Sequence, residues 1–375
     1  MPSSHLRRNC LPTARQLVVK LGTQVLTAPG GGLDRDLLAR IAAQVAELRK
    51  RGIELLLVSS GAIGAGCAML DLPRRPRDVA DQQAVAAVGQ RGLMSLMAEA
   101  FAPHGIEVAQ LLLTRGDFDN RTRFLNIRNC ISRLHAFKCL PIINENDTVA
   151  TDELRFGDND ALAAMLTNLL RADALILLTT VPGLLDHEGR TIELVEDARD
   201  AMRYGRQDVS ELGTGGIQSK LDAARMATDA GEMVIIADGR EQDVLLRLVA
   251  GEKLGTAFVP AARKLDSRKR WIGMTRRPAG AVRIDEGAVN ALVQRHKSLL
   301  ASGIAGVHGN FDRGDVIRIE DTQGRELGRG LTNYNSADLS LIKGKRSNQF
   351  EKILGRPAFA EVIHRDNLVM QPRLK

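Results

Sequence analysis

Long hydrophobic runs are missing from this 375-residue sequence. No segment approaches the roughly 18 apolar residues that a membrane-spanning helix needs. The basic N-terminal residues, Met-Pro-Ser-Ser-His-Leu-Arg-Arg, are not followed by the hydrophobic segment of a secretory signal. We therefore expect a cytoplasmic protein without membrane partners, and a disordered stub over residues 1–14.

Cysteines and aromatic residues are scarce. The four cysteines form no CxxC pair and stand in no pattern with histidine: Cys10, Cys67, Cys130 and Cys139. Such spacing favours reduced thiols over a disulfide framework, and no protein-bound metal is expected. Aromatic residues make up only 3% of the chain. Few rings are therefore available to stack on the bases of a nucleic acid.

Two common nucleotide-binding motifs are also absent. The string GxxxxGK[ST] does not occur, which argues against a P-loop NTPase. No GxGxxG string supports a dinucleotide-binding fold. If the protein binds nucleotide phosphates, it holds them by another arrangement.

Charge is distributed unevenly along the chain. Residues 263–375 carry about 22 lysines and arginines against about 12 acidic residues, whereas the rest of the chain is slightly acidic. A basic C-terminal part is typical of RNA-binding proteins, because lysine and arginine neutralise phosphates. A solvated basic surface explains the same composition, so both interpretations stay open.

Apolar runs alternate with amphipathic segments up to about residue 260. Residues 34–51, for example, place Leu37, Ile41 and Val45 at helical spacing. The apolar runs are bounded by turn residues, as buried parallel strands are, and cover residues 16–20, 54–58, 108–113, 141–144, 174–179 and 233–237. This alternation predicts an α/β fold with a doubly wound parallel sheet, whose ligands bind at the carboxyl ends of the strands. Four polar residues fall there: Lys20, Ser60, Asn144 and Thr179.

The pattern changes after residue 256. Residues 261–275 are polar and basic and are interpreted as a linker, and closely spaced glycines beyond it separate short strands. We expect an α/β domain over residues 15–260 and a small β-rich domain over 276–375.

Two lysines stand beside glycine-bearing turns. Lys20 ends an apolar run before Leu-Gly22-Thr, and Lys220 follows Gly213-Thr-Gly-Gly216-Ile-Gln-Ser. Glycines let backbone N–H groups approach anionic oxygens, a helix N-terminus adds partial positive charge, and lysine adds a full charge. The segment Ser60-Gly61-Ala-Ile-Gly-Ala-Gly66 is also glycine-rich and also follows an apolar run. Together these features predict a pocket for several phosphates and a phosphoryl-transfer reaction.

A family resemblance follows from seven strings that occur in order: Val19-Lys20-Leu-Gly-Thr, Ser60-Gly-Ala-Ile-Gly-Ala-Gly66, Ala87-Val-Gly-Gln90, Leu113-Thr-Arg, Asn144-Glu-Asn-Asp-Thr-Val-Ala-Thr151, Phe156-Gly-Asp-Asn-Asp160 and Gly213-Thr-Gly-Gly-Ile-Gln-Ser-Lys220. The N-terminal part resembles the amino-acid kinase family, in its glutamate-phosphorylating branch. The C-terminal part resembles a PUA domain, through residues 309–315 and 329–336. The resemblance implies a three-layer α/β sandwich with a mainly parallel sheet, followed by a small β-rich PUA-like domain.

The resemblance also implies an activity. It is the ATP-dependent phosphorylation of the γ-carboxylate of L-glutamate, which yields L-glutamyl 5-phosphate and ADP and opens proline biosynthesis. Mg²⁺ is implied as the ion on ATP, with few or no protein ligands. Further implied properties are a homodimer or homotetramer, a glutamyl phosphate reductase as partner, and inhibition by proline through the loop of Asp147 and Glu153.

Residue roles come from the same resemblance. Lys20, Lys220 and Asp160 are implied to be catalytic, the aspartate holding both ammonium groups. Ser60, Gly61, Asp147 and Asn159 are implied to bind the amino acid, with Asp147 on the α-ammonium and the Asn159 amide on the carboxyl groups. The implied nucleotide contacts are Lys20, Gly22, Thr179, Thr180, Gly213, Thr214, Gly215, Gly216 and Lys220. The chain departs from the family at Thr180, where an acidic residue is usual, and at Leu185, where tyrosine is usual.

Two alternatives remain at this point. The same fold could phosphorylate another acid, such as N-acetylglutamate, aspartate or a nucleoside monophosphate. Alternatively, the protein could be an RNA-binding regulator that acts through its basic PUA-like part.

Overall fold

The computed structural model describes residues 11–28, 32–150, 159–201, 204, 216–261, 267–274 and 278–370. It divides into two compact units, Met1–Lys264 and Leu265–Lys375. Leu11 and Ala14, which fall in the predicted stub, are buried. The predicted linker 261–275 contains a helix, Ser267–Met274, that belongs to the second unit.

An eight-stranded sheet forms the centre of the first unit. Its strands in chain order are β1 Gln16–Leu21, β2 Glu54–Ser59, β3 Val108–Leu113, β4 Leu140–Glu145, β5 Ala174–Thr179, β6 Leu194–Val195, β7 Met233–Asp238 and β8 Thr256–Phe258. The spatial order is β3-β4-β2-β1-β5-β7-β8-β6, and β8 pairs antiparallel with β7 while the other neighbours are parallel. Because β1, β2 and β5 are central, the residues after them meet at one edge.

Helices connect these strands. They are α1 Thr23–Leu26, α2 Arg35–Lys50, α3 Ala62–Met69, α4 Val79–Phe101, α5 Arg115–Asp119, α6 Arg121–Ala136, α7 Asn159–Leu170, α8 Ala198–Ala201, α9 Ile217–Ala230 and α10 Val244–Val249. Helix α2 illustrates why they form: Asp34 accepts a hydrogen bond from the Leu37 N–H at 2.9 Å, capping the helix, and Leu38 and Ile41 are buried on one face.

Helices α3 and α4 are packed too closely for a side chain at their contact. A Cβ atom at Gly89 would lie 1.8 Å from the Ala62 carbonyl oxygen, and one at Gly66 would lie 2.0 Å from the Val85 carbonyl oxygen. Only glycine allows the two backbones to approach in this way. The contact fixes the position of α3, which begins directly after Ser60 and Gly61.

The second unit is built on a five-stranded sheet. Its strands are β9 Gly280–Ile284, β10 Ile304–Gly309, β11 Val316–Glu320, β12 Glu326–Leu331 and β13 Leu368–Met370, in the spatial order β10-β9-β11-β12-β13. Its helices are α11 Ser267–Met274, α12 Glu286–Val293, α13 Ser336–Ile342 and α14 Phe350–Leu354. A separate core, which includes Val282, Ile317 and Phe350, lies within this unit.

The predicted fold class is confirmed. Each of the six strands predicted from apolar runs is present within one residue at either end. The short strands β6 and β8, of two and three residues, were not predicted, because so few residues carry no recognisable periodicity. Within the described ranges, no helix is long and apolar enough to cross a membrane.

Candidate active site

Two lysines and one aspartate meet at the carboxyl end of the central strands. Lys20 Nζ lies 2.7 Å from Asp160 Oδ1, and Lys220 Nζ lies 3.3 Å from Asp160 Oδ2. Lys20 is the last residue but one of strand β1, Asp160 is in the first turn of α7, and Lys220 is in the first turn of α9. The Ser219 hydroxyl lies 2.9 Å from Asp160 Oδ2 and donates to it. The structure thus brings together the three residues predicted to be catalytic.

Burial gives this cluster its electrostatic character. Asp160 is 0% exposed, Lys20 is 3% exposed and Lys220 is 7% exposed. A buried ammonium group is costly unless it is paired, so the bridging carboxylate stabilises both lysines. Two ammonium groups and one carboxylate still leave a positive charge. In a desolvated site that charge attracts a polyphosphate.

Ser60 and Gly61 form the turn between strand β2 and helix α3. Gly61 has φ +102° and occupies the N-cap position, and its carbonyl oxygen accepts from the Ala65 N–H at 2.8 Å. This left-handed conformation favours glycine. The turn leaves the first N–H groups of α3 without intrahelical partners, and such groups bind anions.

A network of side-chain amides adjoins this turn. Asn159 Nδ2 donates to Ser60 Oγ at 3.0 Å and to Asn144 Oδ1 at 2.9 Å. Asn144 Nδ2 in turn donates to Gln90 Oε1 at 2.7 Å. Both N–H groups of Asn159 are therefore engaged. Its Oδ1 is buried and has no hydrogen-bond partner among the described residues.

These residues surround a cavity of about 370 Å³, called here the active-site cavity. The predicted site residues in its lining are Lys20, Gly22, Ser60, Gly61, Asp147, Asn159, Thr179, Thr180 and Lys220. Asp160 lies beneath them, in contact with both lysines. Gly216 is the N-cap residue of α9. Four predicted site residues, Glu153, Gly213, Thr214 and Gly215, lie outside the described residues.

The cavity lining also contains residues to which the sequence patterns assigned no role. They include Thr23, Gln24, Arg75 and Gln82. Arg75 comes from a proline- and arginine-rich loop that has no periodicity, so only the fold could bring it to the site. Thr180, which stands where the family usually has an acidic residue, donates to Gln24 Oε1 at 3.3 Å.

The described carboxylates near the cavity do not form a metal-binding group. Within the described ranges, no three side chains of His, Cys, Asp or Glu are grouped so that they could hold a metal ion. The two Asp160 oxygens each lie near an ammonium group instead. A divalent ion here would take most of its ligands from phosphate oxygens and water, as Mg²⁺ does on nucleotides.

Comparisons with known proteins identify the family of the chain. A sequence model of the Amino acid kinase family matches residues 15–238, and a PUA domain model matches residues 280–354. The chain is 45% identical to the glutamate 5-kinase of Geobacter sp. (strain M21), over 97% of this chain and 100% of the relative. It is 46% identical to that of Ralstonia nicotianae, over 97% and 99% of the two chains.

Among solved structures, carbamate kinase from Giardia lamblia bound to AMP-PNP matches with a TM-score of 0.49 and 18% identity. The match covers 67% of this chain and 100% of that one. The family model spans more than half of the chain, and the relatives are similar along nearly all of it. The resemblance drawn from the sequence motifs is therefore confirmed: the chain belongs to the amino acid kinase family and carries a PUA domain after its kinase domain.

Proposed function

We propose that this protein is a kinase that transfers the γ-phosphoryl group of ATP to the γ-carboxylate of L-glutamate. The products are L-glutamyl 5-phosphate and ADP, and the reaction is the first step of proline biosynthesis. The observation that carries the proposal is the buried cluster in which Asp160 bridges Lys20 and Lys220 at the edge of the active-site cavity. The relatives named glutamate 5-kinase support the choice of acceptor.

The chemistry requires charge stabilisation rather than a base. A glutamate side chain has a pKa of about 4.3 and is already ionised near neutral pH. A γ-carboxylate oxygen attacks the γ-phosphorus, the new O–P bond forms, and the bond to the β–γ bridging oxygen breaks as ADP leaves. Lys20 lies on the transferring phosphoryl group, while Lys220 contacts the β- and γ-phosphates. Asp160 keeps the two ammonium groups apart at a set distance.

The acceptor side of the cavity supports recognition of a free amino acid. The Ser60 hydroxyl and the N–H groups at the start of α3 hold a carboxylate. Asp147 and Asn159 Oδ1 are both acceptors at the cavity, and an α-ammonium group can donate to both of them, including the Asn159 oxygen that has no partner among the described residues. The family resemblance implied that the Asn159 amide holds the carboxyl groups. Its N–H groups are instead directed to Ser60 and Asn144, so its oxygen is the group offered to the substrate. An N-acetylated acceptor lacks the ammonium group.

Mg²⁺ is part of the proposal. When bound with ATP, the ion would supply neutralisation of the charge on the phosphate oxygens as ADP leaves. The residues that touch those oxygens are Lys20, Lys220 and the turn at Gly22. Thr179 and Thr180, with Gly213, Thr214, Gly215 and Gly216, are proposed as the remaining nucleotide contacts.

Several properties remain proposals that follow from the family. These are the cytoplasmic location, a homodimer or homotetramer, and a reductase partner for the unstable acyl phosphate. Proline inhibition through Asp147 and Glu153 is another, and a rate at low glutamate that saturating proline leaves unchanged would exclude it.

An acyl-phosphate trap tests the activity. Purified wild type and Lys20→Ala are incubated with ATP, Mg²⁺ and hydroxylamine, and with L-glutamate, N-acetylglutamate, aspartate or UMP in turn. We expect glutamyl hydroxamate and ADP with glutamate alone, and a loss of at least about 100-fold in kcat for Lys20→Ala, because a charge that stabilises the transition state is gone. Turnover with another acceptor alone would leave the fold assignment unchanged and would show that glutamate is not the substrate.

RNA binding by the second unit is an alternative that one observation favours. The Arg313 guanidinium lies over the Phe359 ring, 4.4 Å from its centroid, and Phe359 is 42% exposed. Aromatic rings and arginines together bind single-stranded bases. If this surface binds RNA, Phe359→Ala should weaken salt-sensitive binding of the full chain to a single-stranded RNA. The matched control is Phe137→Ala, because Phe137 is also exposed and also lies under an arginine, Arg133. Equal affinity in both variants would remove this alternative.

A further inference from the structure

Gln90 contacts the acceptor site through another side chain. It lies on helix α4, and its side chain lines an adjoining cavity of about 620 Å³ between α4 and strand β3. Its Oε1 accepts the hydrogen bond from Asn144 Nδ2 at 2.7 Å. Asn144 is 2% exposed and lines the active-site cavity. Gln90 is therefore one hydrogen bond away from a residue of the site.

The direction of this hydrogen bond is set by the backbone. The Glu145 N–H donates to Asn144 Oδ1 at 2.9 Å, and a backbone N–H can only donate. The Asn144 oxygen must therefore face Glu145, and its Nδ2 must face Gln90. Gln90 supplies the acceptor that a buried Nδ2 needs.

The fixed orientation of the Asn144 amide in turn fixes the orientation of the residues that face the substrate. Asn159 Nδ2 donates to Asn144 Oδ1 and to Ser60 Oγ, so Ser60 receives a hydrogen bond from the protein. A hydroxyl that accepts through its oxygen keeps its own proton for another acceptor. The Ser60 proton is thus left for an anionic substrate, and Asn159 Oδ1 is left for a cationic one.

Helix packing keeps the backbone at Gln90 close to Asn144. The preceding residue, Gly89, is the position at which a Cβ would meet the Ala62 carbonyl oxygen at 1.8 Å and the Gly66 nitrogen at 2.3 Å. Helix α4 is therefore seated against α3, the helix that starts at the Ser60–Gly61 turn. The backbone at Gln90 is thereby held in place, and its side chain reaches Asn144 from a fixed position.

We propose that Gln90 is a positioning residue for the acceptor, which fixes the Asn144 and Asn159 amides so that Ser60 donates and Asn159 accepts at the substrate. This inference rests on the proposed function. It extends that function, because Gln90 does not line the active-site cavity and reaches the acceptor-binding residues through Asn144.

The test compares three variants of the full chain. Gln90→Met has similar size and no acceptor for Asn144 Nδ2. Gln90→Glu keeps an acceptor there, because an ionised carboxylate only accepts. Gln110→Met is the matched control, since Gln110 lines the same adjoining cavity from the exposed part of strand β3.

For Gln90→Met we expect the KM for glutamate to rise roughly tenfold, with kcat and the KM for ATP nearly unchanged, because the lost interaction acts on acceptor binding. Gln90→Glu should restore the glutamate KM to within about threefold of wild type. Gln110→Met should match wild type. Glutamate affinity from calorimetry should follow the same order.

Other outcomes would overturn the inference. They are a wild-type glutamate KM in Gln90→Met, equal defects in Gln90→Met and Gln90→Glu, or a parallel rise in the KM for ATP, which a general loss of structure would cause. If wild type uses another acceptor, the proposed function fails while the same comparison, made with that acceptor, still tests Gln90.

Discussion

Asp160→Asn is expected to lower kcat by about 10²–10³-fold, the loss typical of removing one preorganised electrostatic contact from a transition state. The neutral amide has nearly the shape of the carboxylate, so it fits at a position that is 0% exposed. It cannot neutralise Lys20 and Lys220, which lie 2.7 and 3.3 Å from the native oxygens. Two like charges at the edge of the cavity then repel each other, and neither keeps its place on the phosphates.

The same substitution should also destabilise the fold. Removing one partner of a buried ion pair typically costs about 3–5 kcal/mol in the free energy of unfolding, because a buried charge is left uncompensated. Thermal unfolding is measured with and without ATP, whose phosphates replace part of the missing negative charge, so nucleotide should stabilise the variant more than wild type. The control is Asp222→Asn, an exposed acid two residues beyond Lys220 on the same helix. A variant at Asp160 with the wild-type kcat would show that the bridging carboxylate is dispensable.

Gly89→Ala is expected to destabilise the kinase domain strongly, although it adds only one methyl group. Its Cβ would lie 1.8 Å from the Ala62 carbonyl oxygen and 2.3 Å from the Gly66 nitrogen, and both are backbone atoms that cannot rotate away. Helices α3 and α4 must separate, and overpacking of this kind costs about 1–3 kcal/mol or more in the free energy of unfolding. Because α3 begins at the Ser60–Gly61 turn, we also expect weaker binding of the acceptor.

Denaturant unfolding and the glutamate KM measure the two effects. Gly92→Ala is the matched control, because it adds the same methyl group to the same helix one turn later. Its Cβ would meet only the Met69 side chain, at 2.5 Å from the sulfur, and that side chain is 41% exposed and can move. Alanine also favours helix over glycine, so Gly92→Ala should be close to wild type in stability. Equal unfolding curves for the two variants would contradict the packing argument.

Periodicity predicted the elements of the kinase domain because its signals are local. A buried parallel strand needs several consecutive apolar residues, and an amphipathic helix needs a repeated apolar face; both can be counted along the chain. Strand β1 and helix α2 therefore follow from residues 16–20 and 34–51 nearly as the structure has them. Strands β6 and β8 have too few residues to carry such a signal, and their pairing depends on the rest of the sheet.

Only some residues of the candidate site could be predicted from the sequence. Lys20 and Lys220 stand out because glycine-bearing turns beside strands are unusual settings for lysine. Gln90 and Arg75 do not stand out in this way. Gln90 acts through a hydrogen bond to Asn144, which is distant in the chain, and Arg75 reaches the cavity from an irregular loop. Neither local propensity nor spacing contains that information.

The amino-acid sequence by itself determined that this protein has an α/β domain with glycine-bearing turns beside its strands and a basic, β-rich domain after it, because these properties depend on composition, periodicity and the residues next to each glycine. Only the tertiary structure decided which side chains meet. Asp160 bridges two lysines from separate elements, and the Asn144 amide is oriented by a backbone N–H and by a glutamine on helix α4. Such contacts depend on distances and directions in space, which no pattern along the chain specifies.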